Sequence, residues 1–245
     1  MNCKKPWFAE WFDENYLEVY RHRNTEEAIR HTELIINTLN LQKTASILDL
    51  CCGDGRYSII FKEKGYRIMG LDLSEILVRR AREKDPDLML VIGDMRHIPG
   101  HFDLILSLFT SFGYFETDSE NKQVLQTISD SLNSNGILWL DYLNPEFLCK
   151  NLVSENHFCL PDSLEIVEKR RIENNRIIKD ISLVRTGCTT GKKCYRESVR
   201  LYPKEELESM FLQTGFDIIH RFGDYHGNEW TPGSERTILA GRKQK

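Results

Sequence analysis

The chain has 245 residues, of which 40% are hydrophobic and 29% charged, and its formal net charge is −4. This composition is ordinary for one large globular domain, or one domain with an insertion, and it lacks the global basic field of many nucleic-acid-binding proteins. No apolar stretch approaches about 20 residues, so no membrane span is expected, and the first residues lack the apolar core of a signal peptide. Seven cysteines without a C-x-x-C pattern favour reduced thiols, a cytoplasmic location and no metal site.

Two helices are predicted before the first strand. Residues 7–22 are rich in aromatic side chains and indicate a single helix. Residues 25–39 indicate a second helix, with Thr25 or Asn24 as its N-cap.

The stretch Ser46–Gly55 indicates a strand followed by a tight turn, after which residues 56–64 are predicted to form a helix. Gly53 and Gly55 permit a positive φ and carry no Cβ, so the turn can approach a small ligand closely. A dinucleotide fingerprint would have a third glycine where Ser58 stands. The loop therefore suits a nucleoside ligand without a pyrophosphate better than NAD.

Acidic residues end or follow three predicted strands. Asp49 lies in the first strand, Asp72 ends the run 67–71 about 20 residues past the glycine loop, and Asp94 follows the run 88–92. The position of Asp72 is that of a ribose-binding carboxylate when the second strand lies beside the first. The alternative is that these acids only cap helices. Taken together, they indicate a ligand site at one edge of a parallel sheet.

The βα alternation continues to the fifth strand. Residues 102–106 indicate strand four, residues 119–132 a helix that is broken at residues 133–136, and residues 137–142 strand five. This regular alternation predicts right-handed crossovers and a parallel sheet.

Residues 155–200 interrupt the alternation with β-type runs that predict an antiparallel ribbon. Turns at Asn174-Asn175 and at residues 186–192 separate the runs, which are 164–169, 177–184 and 195–201. Residues 163–204 contain eleven basic and five acidic residues. These charges are either the solvent faces of exposed strands or a basic cap that attracts an acidic substrate or partner. A helix over 203–214 and strands over 216–222 and 235–242 complete the predicted elements.

Three motifs in chain order resemble motifs one to three of the class I S-adenosylmethionine-dependent methyltransferases. They are Asp49-x-Cys51-x-Gly53-x-Gly55, Gly70-Leu-Asp72-Leu-Ser and Gly93-Asp94-Met95. The match covers about residues 30–145. The resemblance implies an α/β fold, a doubly wound, seven-stranded, mostly parallel Rossmann-like sheet with an antiparallel last strand, to which the antiparallel ribbon is added. It also implies S-adenosyl-L-methionine as the cofactor.

The same resemblance implies residue roles. Gly53 and Gly55 would lie under the methionine moiety and ribose, Asp72 would bind the ribose hydroxyls, and Asp94 the adenine amine. The expected cofactor-binding residues are Asp49, Cys51, Gly53, Gly55, Asp72, Leu73, Asp94, Met95, Ser107, Tyr16 and Tyr20.

A Ser-Phe-Gly-Tyr-Phe turn after strand four, an aromatic N-terminal helix and the insertion are similar to a small-molecule branch of this family. That branch includes glycine- and aminosugar-type N-methyltransferases, in which the N-terminal segment closes over the cofactor and its tyrosines line the pocket. Tyr114, expected to face the methyl group, and His226, a possible proton acceptor, are the candidate catalytic residues. Further candidates for shaping the acceptor site are Tyr225, Trp230 and Arg236.

The expected function is methyl transfer from S-adenosylmethionine to N, O or C of a small molecule. The alternatives are an RNA or protein methyltransferase that uses the basic insertion, a non-catalytic protein that binds the cofactor or its product, and a nicotinamide-dependent dehydrogenase. Residues 1–154 are expected to hold the N-terminal helices and cofactor-binding core, 155–202 a substrate-capping ribbon, and 203–245 the end of the core sheet. The expected partners are a small-molecule substrate and at most a second copy of the chain, with no membrane and no nucleic acid.

Overall fold

The computed structural model describes residues 5–21, 25–160, 164–185 and 192–244. Its helices are α1 (Trp7–Trp11), α2 (Glu14–Val19), α3 (Thr25–Leu39), α4 (Arg56–Glu63), α5 (Glu75–Lys84), α6 (Asp118–Asp130), α7 (Pro145–Asn151) and α8 (Lys204–Gln213). Its strands are β1 (Ser46–Leu50), β2 (Arg67–Asp72), β3 (Met89–Ile92), β4 (Phe102–Ser107), β5 (Leu132–Leu143), β6 (Glu155–Cys159), β7 (Leu164–Glu173), β8 (Arg176–Arg185), β9 (Lys193–Arg200), β10 (Phe216–Phe222) and β11 (Arg236–Lys243). None of the described helices has the length and apolar character needed to cross a membrane.

Within these ranges, the central sheet has seven strands in the order β10-β11-β5-β4-β1-β2-β3. β1 pairs in parallel with β2 and with β4, and the pairs β2–β3 and β4–β5 are also parallel. β11 runs antiparallel to both of its neighbours, β5 and β10. The predicted seven-stranded, mostly parallel sheet with an antiparallel last strand is confirmed. The carboxyl ends of β1, β2 and β4 lie at one edge, where the strand order reverses and ligands bind in open α/β sheets.

Helices cover both faces of this sheet. Leu48, Leu50 and Ile105 pack on one face in a core shared with α6 and α8. Their sequence neighbours in β1 and β4, such as Ile47 and Leu104, pack on the other face with α3 and α4. Successive side chains of a strand point to opposite faces, so a strand covered on both sides is apolar throughout. This is why β1 and β4 appear in the sequence as continuous apolar runs.

The inserted sheet, which consists of β6–β9 in the described part of the chain, is antiparallel in the order β6-β7-β8-β9. The predicted ribbon is confirmed, with Asn174 and Asn175 in the β7–β8 turn at φ 50° and 55°. The edge strand β6 was not predicted. The inner face of the inserted sheet shares a core with the N-terminal segment, residues 5–21; the fully or nearly fully buried members are Trp11, Val19, Leu164, Ile166, Ile181 and Leu183.

The predicted single helix over residues 7–22 is wrong, because the chain turns between α1 and α2. Asp13 lies at this turn, and its carboxylate accepts hydrogen bonds from the backbone N–H groups of Asn15 at 2.8 Å and Tyr16 at 3.3 Å. These bonds satisfy the first donors of α2, so Asp13 acts as its N-cap. Tyr16 and Tyr20 still lie side by side, with ring centroids 4.8 Å apart.

The break predicted at residues 133–136 lies inside a strand. Helix α6 ends at Asp130, and β5 begins at Leu132. The register between β4 and β5 shifts after Phe102, and Asn135 has a φ of 62°, so this polar stretch forms a bulge. Helix α7 was not predicted. The predicted helix end at His22, the alternative cap Asn24 and the turn residues 186–191 lie outside the described residues.

Candidate active site

A cavity of about 860 Å³ lies at the carboxyl ends of β1, β2 and β4 and extends to the inserted sheet. This volume is in the upper part of the roughly 300–1,000 Å³ range of small-molecule sites. The glycine loop, the segments after β2, β3 and β4, the N-terminal segment and strands β8 and β9 form its walls. The predicted site residues that line it are Asp49, Cys51, Gly53, Asp72, Leu73, Asp94, Met95, Tyr16, Tyr20 and Tyr114.

Asp72 connects the glycine loop to the end of β2. Its Oδ2 accepts a hydrogen bond from the Gly53 N–H at 2.8 Å, and its Oδ1 accepts one from the Ser74 N–H at 2.8 Å. Burial raises the pKa of Asp72, although these two hydrogen bonds act in the opposite direction. Each carboxylate oxygen can accept a second hydrogen bond. Asp72 could therefore also accept hydroxyl donors from a ligand in the cavity.

The two glycines of the loop differ in what surrounds them. Gly53 has a φ of 57° and lines the cavity, and a Cβ built on it would meet nothing within 4 Å. Gly55 has a φ of 79° and does not line the cavity; a Cβ there would lie 3.0 Å from the Cβ of Ala81. Gly53 therefore allows close ligand approach, whereas Gly55 allows the loop to pack on α5. The expectation that Gly55 contacts the ligand is not met by this geometry.

Asp49 is buried under the same loop. Ser58, in the first turns of α4, donates a hydrogen bond from Oγ to Asp49 Oδ2 at 2.7 Å. Burial raises the pKa of Asp49 to about 6, and the Ser58 hydrogen bond opposes this shift. The bond fixes the start of α4 to β1, so Ser58 has a structural role at the position where a dinucleotide-binding loop has its third glycine.

Asp94 lies at the cavity edge and is paired with Arg96. The Arg96 side chain donates to both carboxylate oxygens of Asp94, at 3.0 Å from Nε and 2.7 Å from Nη2. Partial burial acts to raise the pKa of Asp94, but the hydrogen bonds from the Arg96 side chain and backbone outweigh it and lower the pKa. Asp94 therefore offers the cavity a carboxylate that stays ionised.

Besides Gly55, two predicted site residues lie outside the cavity wall. Ser107 is buried inside the sheet, opposite Leu50 of β1 and Leu140 of β5, so the cavity wall begins one residue later, at Leu108. His226 is exposed in the loop after β10, where its backbone N–H donates to Asp224. His226 does not line the cavity, so this geometry does not support its predicted role as a base. None of the lining residues that the structure describes is a histidine.

Tyr114 lies where several aromatic side chains meet. Its ring is 4.8 Å from Trp7 and 6.0 Å from Phe12 of the N-terminal segment. Burial is the main cause of a raised Tyr114 pKa, followed by the neighbouring Tyr16, Cys51 and Glu197. These neighbours come from the N-terminal segment, the glycine loop and β9. Tyr114 thus lies between the cofactor-loop half of the cavity and the half formed by the inserted sheet.

Arg176 of β8 fixes the backbone around Tyr114. Its guanidinium donates to the carbonyl oxygens of Gly113 and Tyr114, both at 3.2 Å, and of Phe115 at 2.9 Å. A planar guanidinium has five N–H donors in a fixed arrangement, so one side chain can hold several carbonyls of a turn. The inserted sheet therefore contributes directly to the position of this wall.

The inserted sheet also places a buried charged cluster at the cavity, which the sequence analysis did not single out. Lys179 of β8 is 8% exposed and lies 3.2 Å from Glu168 and 3.3 Å from Glu197. Glu197 Oε1 accepts hydrogen bonds from Trp11 Nε1 at 2.6 Å and Tyr20 OH at 2.7 Å. In a strand, Lys179 is in phase with the apolar Ile177 and Ile181, and this phase was the available signal that it points inward.

Three further basic residues of the insertion are paired with acidic residues. Arg171 and Arg196 pair with Asp180 on the outer face of the inserted sheet. Arg170 pairs with Glu168 and, like Lys179, lines the cavity. These ion pairs therefore lie partly on the outer face of the inserted sheet and partly at the cavity wall.

Tyr225 and Arg236 lie behind the cavity wall and both bind Asp141 of β5. Tyr225 OH donates to Asp141 Oδ2 at 2.7 Å, and Arg236 Nε donates to Oδ1 at 2.7 Å. Trp230 donates from Nε1 to Thr237 at 3.0 Å. None of these three residues lines the cavity, so any part they take in shaping the acceptor site is indirect.

Comparisons with known proteins agree with this geometry. Residues 47–136 match a family model described as a methyltransferase domain. The putative methyltransferase YqeM of Bacillus subtilis (strain 168) is 27% identical over 84% of this chain and 87% of its own length. A Streptomyces fradiae dTDP-3-amino-3,6-dideoxy-alpha-D-glucopyranose N,N-dimethyltransferase is 29% identical over 72% of this chain and 71% of its own. A solved S-adenosylmethionine-dependent methyltransferase from Clostridium acetobutylicum ATCC 824 has the same fold, with a TM-score of 0.80, 20% identity and coverage of 94% and 97%.

Residues 47–136 form a methyltransferase domain, and the chain as a whole is similar to S-adenosylmethionine-dependent methyltransferases. It is a methyltransferase, and its cofactor is S-adenosylmethionine. The cavity fits this cofactor for two reasons. The space beside Gly53 is open, and the neighbouring buried carboxylate of Asp72 can accept further hydrogen bonds from hydroxyl groups. The methyltransferase could hold the nucleoside with Asp72 and Asp94, and the methionine part beside Cys51 and Gly53.

The two glycines provide a matched pair of methyltransferase variants. We expect Gly55→Ala to lower the free energy of unfolding by about 1–3 kcal/mol, because a left-handed alanine is strained and its methyl group meets Ala81. We expect Gly53→Ala to cost about 1–2 kcal/mol of stability but to weaken S-adenosylhomocysteine binding more than Gly55→Ala does. Urea unfolding and calorimetric titration measure the two effects. A larger loss of affinity in Gly55→Ala than in Gly53→Ala would contradict this division of roles.

The buried Asp49 makes the stability of the methyltransferase depend on pH. In the folded protein the pKa of Asp49 is about 6, against 3.8 for an ordinary aspartate, so the free energy of unfolding falls as the pH rises through this interval. Asn cannot titrate, so Asp49→Asn lacks this loss. We therefore expect its free energy of unfolding, relative to wild type, to rise by about 3 kcal/mol as the pH increases from about 3.5 to about 7.5.

Urea unfolding of both proteins across this pH range is the measurement, and Asp103→Asn is the matched control. Hydrogen bonds from Ser46 and Asn133 hold the Asp103 pKa below its usual value despite partial burial. Asp103→Asn should therefore lose stability relative to wild type as pH rises, which is the opposite sign. Parallel curves for Asp49→Asn and wild type would exclude a raised Asp49 pKa.

Proposed function

We propose that this methyltransferase transfers the methyl group of S-adenosylmethionine to the nitrogen of a small-molecule amine. The observation that carries the proposal is the second half of the cavity. It is enclosed by the N-terminal segment and the inserted sheet, and a carboxylate, Glu197, lies at its wall beside the phenols of Tyr16, Tyr20 and Tyr114.

In this proposal the first half of the cavity binds the cofactor. Asp72 accepts the ribose hydroxyls, Asp94 accepts the adenine amine, and Cys51 and Gly53 line the methionine part. Asp49, Leu73 and Met95 complete the wall. S-adenosylmethionine supplies a methyl group on a positively charged sulfur, which an aligned lone pair can displace.

The enclosure of the second half favours a small acceptor over RNA or protein. Asp13 accepts a hydrogen bond from Tyr195 OH of β9 at 2.7 Å, and Asn15 donates to the same hydroxyl at 2.9 Å. The N-terminal segment is thus fastened to the inserted sheet across this half of the cavity. We infer that residues 155–202 act as a substrate-capping insertion between the core parts 1–154 and 203–245.

The wall chemistry favours nitrogen over oxygen as the acceptor atom. A neutral amine attacks with its own lone pair, whereas an alcohol must lose its proton to a base. The described cavity lining contains no histidine, while Glu197 can accept an amine N–H and stabilise the positive charge that develops on nitrogen. Tyr114 and the neighbouring rings would stabilise the sulfonium and the forming ammonium by cation–π attraction, about 0.5–2 kcal/mol for each.

The relatives support an amine acceptor. The Streptomyces fradiae relative is named as an N,N-dimethyltransferase of an amino sugar, so its acceptor atom is a nitrogen. We carry over only the acceptor type, a small molecule with an amino group. The cytoplasmic location and the monomeric or homodimeric state stay predictions from the sequence.

The proposal is tested with small amines and their hydroxyl analogues as matched acceptors. We expect calorimetry to detect S-adenosylhomocysteine binding and no NADH binding. With S-adenosylmethionine present, we expect S-adenosylhomocysteine to form with amines and not with the matched alcohols. Methylation of the alcohols at equal rates, or label transfer only to RNA or protein, would refute N-methylation of a small molecule. Cofactor binding without any transfer would point instead to a non-catalytic binding protein.

Glu197→Gln tests the acceptor half of the site. Since a hydrogen bond to a charged group is worth about 1.5–3 kcal/mol, we expect kcat/KM for the amine to fall roughly 10–100-fold. We expect S-adenosylhomocysteine affinity to stay within about twofold, because Glu197 belongs to the other half of the cavity. Steady-state kinetics and calorimetry measure the two quantities.

The matched control is Glu165→Gln, a change at an exposed position of β7 in the same inserted sheet. It should leave both quantities at wild-type values. An equal loss of cofactor affinity in Glu197→Gln would show that Glu197 acts only through closure of the N-terminal segment and takes no part in acceptor binding.

A further inference from the structure

The turn after β4 has a backbone that its residues rarely adopt. The Ser111 N–H donates to the Leu108 carbonyl at 3.2 Å, which closes a four-residue turn. Its two central residues, Phe109 and Thr110, have φ values of 56° and 62°. Two consecutive left-handed residues are typical of a type I′ turn, where Asn and Gly are preferred. A bulky residue and a β-branched residue are strained there, so the surrounding structure must hold them.

Asp141 of β5 holds both strained residues. Its side-chain Oδ2 accepts the Phe109 N–H at 2.9 Å, and its backbone carbonyl accepts the Thr110 N–H at 3.0 Å. Asp141 is completely buried. The two N–H groups that the unusual backbone turns toward the sheet therefore both bond to this one residue.

Asp141 is in turn fixed by two side chains from the end of the chain. Arg236 donates to Asp141 Oδ1, and its Nη2 also donates to Thr110 Oγ1 at 3.0 Å. It therefore contacts both Asp141 and the turn that Asp141 holds. Tyr225 donates to Oδ2, and its ring stacks on His31 of α3 with centroids 4.1 Å apart. Burial lowers the pKa of His31 to about 4, so this support is a neutral ring at physiological pH.

The held turn faces the cavity. Leu108, Phe109, Thr110 and Ser111 all line it, and Tyr114 follows three residues later. We propose that Asp141 is a positioning residue: it holds the Leu108–Ser111 turn in its strained form and thereby sets the wall on which Tyr114 and the acceptor amine are aligned. This inference rests on the proposed function for its kinetic consequence, and on the turn geometry alone for its structural one.

A double-mutant cycle tests the proposal, because glycine adopts a positive φ without strain. Asp141→Asn places an amide N–H against one of the donors that the carboxylate accepts. We expect it to lower kcat about 10–100-fold with S-adenosylhomocysteine affinity nearly unchanged, as expected for a misplaced wall. In a Thr110→Gly background, we expect the factor by which Asp141→Asn lowers kcat to be at least about fivefold smaller, because a turn with glycine needs less support.

Hydrogen exchange of residues 108–111 gives a readout that needs no acceptor. We expect Asp141→Asn to speed exchange of these amides, and Thr110→Gly to reduce that effect. Unchanged exchange in Asp141→Asn would overturn the proposal, and so would a kcat loss that is equal in both backgrounds. If the wild type methylates no amine, the proposed function fails, while the exchange result still decides whether Asp141 holds the turn.

If Asp141→Asn does not fold, Tyr225→Phe takes its place, since it removes one donor to Oδ2 and keeps the Asp141–Arg236 pair. Its matched control is Tyr66→Phe, which removes a hydroxyl bonded to the Leu41 carbonyl at 3.1 Å and does not line the cavity. Faster exchange at residues 108–111 in Tyr225→Phe but not in Tyr66→Phe supports the proposal. Equal exchange in the two variants overturns it.

Discussion

The parallel pairing of β1 with β2 and β4 is the constraint on which the site depends. It brings the loop after β1, the end of β2 and the turn after β4 to one edge, although more than 50 residues separate the first of these segments from the last. The register is fixed by apolar side chains buried on both faces, because a one-residue slip would exchange the two faces. The polar groups of the site are therefore positioned by a core that takes no part in the chemistry.

A second core completes the cavity. Trp11 and Val19 share it with the inner face of the inserted sheet, so the N-terminal segment and the insertion form one cover over the sheet edge. Lys179 lies in this cover with Glu168 and Glu197 around it. A buried ion pair contributes little net stability, because desolvation offsets its attraction, but removing one partner leaves a costly unpaired charge. We interpret this cluster as a device that specifies how the cover closes.

The parts of the site that are local in sequence could be predicted, and the parts that need three-dimensional packing could not. Gly53, Asp72 and Asp94 lie in the cavity because a strand end and the loop after it are adjacent in the chain. Ser107 was misplaced because the cavity wall begins only one residue after it. His226 was misplaced because the sequence does not show which residues of a long loop reach the cavity. Lys179 and Glu197 were missed because a charged residue in an exposed-looking strand usually faces solvent. Only their phase with apolar neighbours indicated otherwise.

Two buried ion pairs act on the segment that contains Tyr114 from opposite sides. Asp141 and Arg236 hold the turn that precedes Tyr114 from within the sheet, while Lys179 and Glu197 hold the cover that packs on it. Arg176 of the insertion joins the two sides, because it donates to the carbonyls of the Tyr114 segment itself. A rigid wall matters for methyl transfer, since alignment alone can supply about 7–11 kcal/mol of barrier reduction. These two buried ion pairs thus lie beside the wall on whose position the proposed methyl transfer depends.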